Sequence, residues 1–411
     1  MRQALAILAV AAVIIASLAA AAVMIRSGHP PTPPGGVVYA EELSEPELVW
    51  RVNNFTIELY GRLLSSHPGE NIVASPFNVY VALTLLYEGA AGETREEIED
   101  VMNIRNADLC NAYKELLSKL PLSSGEPSLA IANSVWLREG YVFRDEYVGR
   151  VSSCYSADVH YFRTVDELVD SVNSWVSEKT NGMIKKAMGR PDTDEVAAVL
   201  VSVIYFRARW VERFDEQAII SFHTPEGVVN APGMSGLKTR ASYFKGDGYV
   251  AVMLPYENTS VSMIIIMPDD REALTSRYAE MISESLRYFR KHPVYDGKIY
   301  LTMPKFEIRL SENLNQYLED MGMPSAFDPD KADFSRMTPM GVWVDDVIHT
   351  AAIRVAENGT EASAATVIVM TLGLPAADVY LTINKPFIYL LWDRDTGTIL
   401  FVGQVTNPVV G

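Results

Sequence analysis

From Ala197 onward the chain carries a succession of short runs of branched and aromatic residues. They are AAVLVSVIYF (197–206), YVAVMLP (249–255), SVSMIIIM (260–267), KIYLTMPKFEI (298–308), VYLTI (379–383), FIYLLW (387–392) and ILFVGQV (399–405). Runs of this composition read as strands, and DRDTGT between the last two reads as a hairpin turn. LAIANSVWL (129–137) is a further strand earlier in the chain. The first half otherwise favours helices: residues 47–64 and 165–179 place apolar side chains at helical spacing, and another helix follows Ser75-Pro76. Helices early and strands late exclude a regular βα alternation and predict an α+β fold with large sheets.

Before this lies an almost unbroken apolar stretch, residues 4–25, closed by Arg26 and the loop-like SGHPPTPPGG of 27–36. That order reads as an export signal over 1–26, with small residues for cleavage at 19–22 or 38–40. The run is also long enough to span a bilayer, which leaves an uncleaved anchor as the alternative. The expected location is secreted, or outside the cell on a membrane tether formed by the N-terminal segment. Residues 27–46 form a Pro- and Gly-rich spacer. Residues 47–411, with no internal linker or repeat, form a single large domain.

Cys110 and Cys154 suit an oxidising compartment, where pairing would close a long loop worth roughly 4 kcal/mol. Two buried free thiols are the alternative. The net charge of −17 disfavours nucleic acid, heparin-like polyanions and acidic membranes as partners. No motif supplies chemistry. The six histidines fall in no ligand or triad pattern, and there is no CxxC, HExxH, GxSxG, GxxxxGK[ST] or GxGxxG. Glu96-Glu97 and Asp345-Asp346 read as solvated element ends, not as acid/base pairs. No metal, cofactor, catalytic residue or enzymatic activity is expected. Sequons stand at Asn54, Asn258 and Asn358.

NIVASPFNVYVALTLLYEGAAGETREEI (71–98), WVSEKTNGMI (175–184), LVSVIYFRARWVERFD (200–215), LPYENTSVSMIIIMPDD (254–270), YLTMPKFEI (300–308), AENGTEASAATV (356–367) and NKPFIYLLWDRDTGTILFVGQVTNP (384–408) then follow in one order. Over about 49–408 that order and those motifs resemble the serpins, the serine protease inhibitors that insert a loop into their own sheet. The resemblance implies three β-sheets and about nine helices with an exposed reactive-centre loop, and a monomer is expected. It also implies the partner, a serine protease that attacks the loop and is carried, as a covalent acyl complex, when the cut loop enters the largest sheet. Cysteine proteases are secondary targets. A non-inhibitory serpin acting as a binding or chaperone-like protein is the alternative function.

The loop itself can be read physically. A segment that squeezes between strands needs small residues at its leading end, β-formers behind, and no proline. Residues 360–372 meet these conditions. At period two, Thr360, Ala362, Ala364, Thr366, Ile368 and Met370 share a face that grows from small to large, and this face is expected to turn inward. Glu361, Ser363, Ala365, Val367, Val369 and Thr371 share the other, polar at its start and apolar at Val367 and Val369, and Gly359 is the pivot. The hinge thus comprises Glu357, Gly359, Thr360, Glu361, Ala362, Ser363, Ala364, Ala365 and Thr366. The reactive bond is placed at Leu372-Gly373, with Gly373-Leu374 as the alternative. Leucine there points to chymotrypsin-, elastase- or subtilisin-like targets.

By resemblance, Lys305 is the partner of Glu357, Trp210 packs beneath them, and Ser75, Asn78, Ser202 and His349 form a polar cluster that controls strand separation. The family pattern has Ser where Asn78 stands and Asn where Ser202 stands, so the two are exchanged here. A sugar on Asn358 would hinder insertion, and this sequon is expected to be unmodified.

Overall fold

Fourteen consecutive residues, Pro76–Gly89, form a helix buried on every side. A helix covered on every side lies in the interior of the protein. Its start is well specified: the Ser75 hydroxyl accepts the Asn78 N–H, and Pro76 occupies the first turn, where its missing N–H costs nothing. The computed structural model, which describes residues 16–28, 41–123, 127–180, 182, 184–191, 194–293, 297–358 and 376–410, packs this helix between two six-stranded sheets.

In chain order the first sheet uses β1 (Ala16–Gly28), β2 (Ser128–Arg138), β3 (Ala157–Phe162), β4 (Val196–Arg207), β5 (Phe306–Asn313) and β6 (Gly341–Val355). Across the sheet they run β5-β6-β1-β4-β2-β3. The helices used below are α1 (Glu45–Ser66), α2 (Pro76–Gly89), α3 (Cys110–Lys119), α4 (Asp145–Tyr155) and α5 (Val165–Lys179). The second sheet joins Tyr249–Pro255, Val261–Pro268, Phe387–Asp393 and Ile399–Val405 to two outer strands, and a third has four strands. With nine α-helices and three large sheets among the described residues, the architecture is the expected α+β fold.

Residues 16–26 of the run read as an export signal or anchor, with Ser27 and Gly28, form an interior strand, antiparallel to β6 on one side and β4 on the other. No described helix is long and apolar enough to cross a membrane. A uniform apolar run satisfies hydrocarbon, but it equally satisfies a strand covered on both faces. Ala21, Val23 and Ile25 join the main core on the α2 side, while Ala22 and Met24 join a second cluster with Val172, Trp175 and Val176 of α5. Burying Val23, Met24 and Ile25 contributes about 1.5–3 kcal/mol each. A bulge leaves Asp345 opposite no residue of β1, since Met24 pairs Asp346 and Ile25 pairs Val344. The Asp345 carboxylate meets the Arg26 guanidinium at 2.6 Å and pins the end of the strand.

Other elements refine the sequence reading. α1 starts at Glu45 on a capping box between Ser44 and Glu47, two residues before the helical spacing read from the sequence. Residues 298–308, read as one strand, are two. Ile299–Pro304 belongs to the third sheet and β5 to the first, with Lys305 at the joint donating its N–H to the Pro232 carbonyl. Asp345 and Asp346 engage Arg26 and Asn313, and Glu97 accepts the Ser325 N–H. Cys110 and Cys154 are bridged, joining the start of α3 to the end of α4.

Candidate functional site

Two groups of side chains meet the gap between β4 and β6, one at its top and one midway down. At the top, β6 ends at Val355 and its continuation is held by three contacts. The Trp210 Nε1–H donates to the Ala356 carbonyl at 3.0 Å, the Phe214 N–H donates to the Glu357 carbonyl at 3.0 Å, and the Lys305 ammonium donates to Glu357 Oε1 at 2.9 Å. Trp210 is itself fixed by stacking on Tyr256, with ring centroids 4.4 Å apart. Lys305 is placed by the break between its two strands, and so reaches Glu357 from the neighbouring sheet. The ion pair is partly exposed and worth about 0–1 kcal/mol, so its role is positional.

Lys238 supports this corner and carried no signal in the sequence. Its Nζ donates to the carbonyls of Glu212 and Arg213, both at 2.7 Å, and lies 3.7 Å above the Phe214 ring. Burial pushes its ammonium down to about 8. A neutral amine still has two N–H groups, enough for both carbonyls.

Midway down, the first turn of α2 reaches both walls of the gap. The Ser75 N–H donates to His349 Nε2 on β6 at 3.1 Å, which requires an unprotonated Nε2, and the Ser75 hydroxyl donates to the Leu400 carbonyl at 2.6 Å. Asn78 Nδ2–H donates to the Ser202 carbonyl on β4 at 2.8 Å, and the Ser202 hydroxyl donates to Asn78 Oδ1 at 2.6 Å. All four residues are buried. Between the walls runs β1, and Ala21 is the residue that pairs with His349 on one side and Ser202 on the other. A methyl group is all that this point of the gap holds.

The exchanged Asn78 and Ser202 therefore still form a reciprocal pair. Asn78→Ala would leave the buried Ser202 hydroxyl without its acceptor, at about 1–3 kcal/mol. Asn78→Ser and Ser202→Asn should each destabilise, and the double exchange should recover about 0.5–3 kcal/mol relative to their sum. Denaturant unfolding of the four proteins measures this coupling, and strict additivity would mean that the two do not act as a pair.

The structure thus brings together Ser75, Asn78, Ser202 and His349 in one group, and Trp210, Lys305 and Glu357 in another. Gly359, Thr360, Glu361, Ala362, Ser363, Ala364, Ala365, Thr366, Leu372, Gly373 and Leu374 lie outside the described residues. Among the described residues, no cluster of His, Cys, Asp or Glu could hold a metal ion.

Comparison with known proteins gives this geometry its context. The serpin (serine protease inhibitor) family model matches residues 51–408. A serpin-like protein of Thermococcus kodakarensis is 34% identical over 391 residues, covering 90% of this chain and 88% of that protein. The leukocyte elastase inhibitor of Bos taurus is 26% identical over 368 residues, covering 86% of this chain and 97% of its own. In fold, the native-state structure of tengpin, a thermophilic serpin, superposes with a TM-score of 0.73 at 24% identity, covering 93% of this chain and 97% of that one. Members of this family pair with target proteases, and inhibitors are among them. This chain belongs to the serpin family.

Proposed function

We propose that the protein is a suicide inhibitor of serine proteases acting outside the cell, with residues 359–375 as its bait. The observation that carries this is the corner at the end of β6. Trp210, Phe214 and Lys305 fix Ala356 and Glu357 at the mouth of the gap between β4 and β6, so the chain that follows starts where an entering strand must start. Attack of a protease serine on the Leu372 carbonyl forms an ester and releases the Gly373 amine. Entry of the cut loop before water hydrolyses that ester is what traps the enzyme. The leucine favours chymotrypsin-, elastase- and subtilisin-like targets. The apolar N-terminal run supports action outside the cell, and the Cys110–Cys154 bridge agrees with it.

The test mixes chymotrypsin, and separately a subtilisin, with the intact chain and with a chain beginning at Val37. An SDS-resistant complex and a released peptide beginning at Gly373 are expected, from the shorter chain at least. A peptide beginning at Leu374 would move the reactive bond by one residue. The presence of β1 in the sheet favours one second reading, a non-inhibitory binding protein. In that case loop cleavage leaves the melting temperature of both chains unchanged and no complex forms.

A further inference from the structure

The place that an inserted loop requires is already taken. β1 pairs with β4 from Ala16 opposite Arg207 to Arg26 opposite Val196, and with β6 from Ser17 opposite Ile353 to Gly28 opposite Gly341. A cut loop leaving Glu357 and turning back antiparallel to β6 would travel from the Ile353 end toward the Gly341 end. That is the direction in which β1 runs, and both would claim the same backbone donors and acceptors of the same two strands. Each of those groups can serve one neighbouring strand at a time.

The two segments are also alike in sequence. β1 reads ASLAAAAVMIRSG, and residues 361–373 read EASAATVIVMTLG. In each, small residues lead, larger apolar residues follow, and the segment closes on polar or turn residues. The β1 residue passing between His349 and Ser202 is Ala21, from the small half. Val23 and Ile25, from the larger half, are fully buried behind it. A segment matched to the slot at both its narrow and its wide part is a substitute for the loop.

We propose that β1 is an internal mimic of the reactive loop, a plug that must leave the sheet before the loop can insert. The proposal rests on the inhibitory reading above. With the plug in place a protease cuts the loop as an ordinary substrate: water hydrolyses the Leu372 ester, and the free carboxylate and active enzyme are released. With the plug gone, insertion competes with that water. The plug lies within the run assigned to export, so an export event that removes or sequesters residues 1–26 frees the slot. The inhibitor is thereby silent until it reaches its place of action.

The test uses the full chain and its Val23→Asp variant, which puts an unpartnered carboxylate where the plug is fully buried. Hydrogen exchange of residues 16–28 reports whether the plug is seated, independently of inhibition, and chymotrypsin reports trapping. In the wild-type chain, 16–28 should exchange as slowly as β4 and little complex should form. In Val23→Asp, 16–28 should exchange freely, complex yield should rise at least roughly tenfold, and loop cleavage should raise the melting temperature. If Val23→Asp fails to fold, the chain beginning at Val37 replaces it, and synthetic peptide 16–28 added to that chain should suppress complex formation. Fast exchange of 16–28 in the wild type, or equal trapping by both chains, overturns the plug and leaves the inhibitory reading intact. A protected segment in the wild type, with neither trapping nor a rise in melting temperature once the plug is out, overturns the inhibitory reading instead. That outcome removes the switch and leaves only the occupied slot.

Discussion

Replacing Ala364 by arginine should turn the inhibitor into a substrate. In a chain whose β1 has been removed, the cut loop enters between β4 and β6, and the period-two reading sends Ala364 toward α2. Residues on that side of the gap are fully buried, as Ala351 and Ile353 on β6 and Ile204 on β4 show. An unpaired guanidinium there costs several kcal/mol. Insertion runs in competition with hydrolysis of the acyl-enzyme, and each 1.4 kcal/mol shifts that competition about tenfold. Complex yield with chymotrypsin should therefore fall by about a hundredfold or more, with cleavage of the loop continuing. Ser363→Arg is the control. It belongs to the other face, where Val203 and Tyr205 of β4 are buried but Thr350, Ala352 and Arg354 of β6 are only partly covered, and a long side chain can bring its charge to water on the β6 side. Its complex yield should stay within a few-fold of the parent. The opposite ranking would reverse the assignment of faces, and full trapping by both variants would mean that the loop does not enter the sheet here.

What could be read in advance follows a physical division. α1, α2 and α5 were legible because helical spacing or an uninterrupted apolar run sits between clear start and stop residues; α5 spans Val165–Lys179, as its periodicity predicts. β6 was not, because the bulge at Asp345 and the polar pair His349-Thr350 break its alternation. Gly227–Lys238 was hidden by Pro232 and three glycines, which read as turn residues, yet it forms a twelve-residue strand. The N-terminal run was ambiguous for the opposite reason: it has no pattern at all, and uniform apolarity fits a membrane, a cleaved leader and a doubly covered strand alike. The polar group at the gap draws on α2, β4 and β6, with Ser75 and His349 separated by 274 positions. No local spacing could assemble it, and only the resemblance of whole motifs pointed there. Lys238 had neither kind of signal, since one lysine in a glycine-rich stretch resembles any other.

Replacing both cysteines by serine should lower stability substantially while leaving the loop's mechanism intact. The bridge joins residues 44 positions apart, with Cα atoms 4.8 Å from each other. Closing a loop of that length removes about 4 kcal/mol of chain entropy from the unfolded state. Between the two cysteines lies β2, which pairs with β4 from Ser128 to Leu137 and so backs one wall of the gap. In the folded protein α3 and α4 are also held by contacts that the bridge does not make: Asn133 donates to the Tyr113 hydroxyl and the Tyr155 carbonyl, and Arg150 spans Glu88 and Asp108. The serine variant should therefore reach the same fold. For a domain of this size, with about 2.1 cal/mol/K of unfolding entropy per residue, the loss corresponds to a melting temperature lower by about 5 °C. Calorimetry of the oxidised protein, the reduced protein and the serine variant should place the last two together below the first. Because the bridge acts on the unfolded chain and lies away from the slot, the yield of trapped chymotrypsin per cleaved loop should be the same in all three. A serine variant that melts with the parent would mean that the helices already restrict the unfolded chain. A variant that traps less would mean that β2 transmits the bridge's constraint to the wall of the gap.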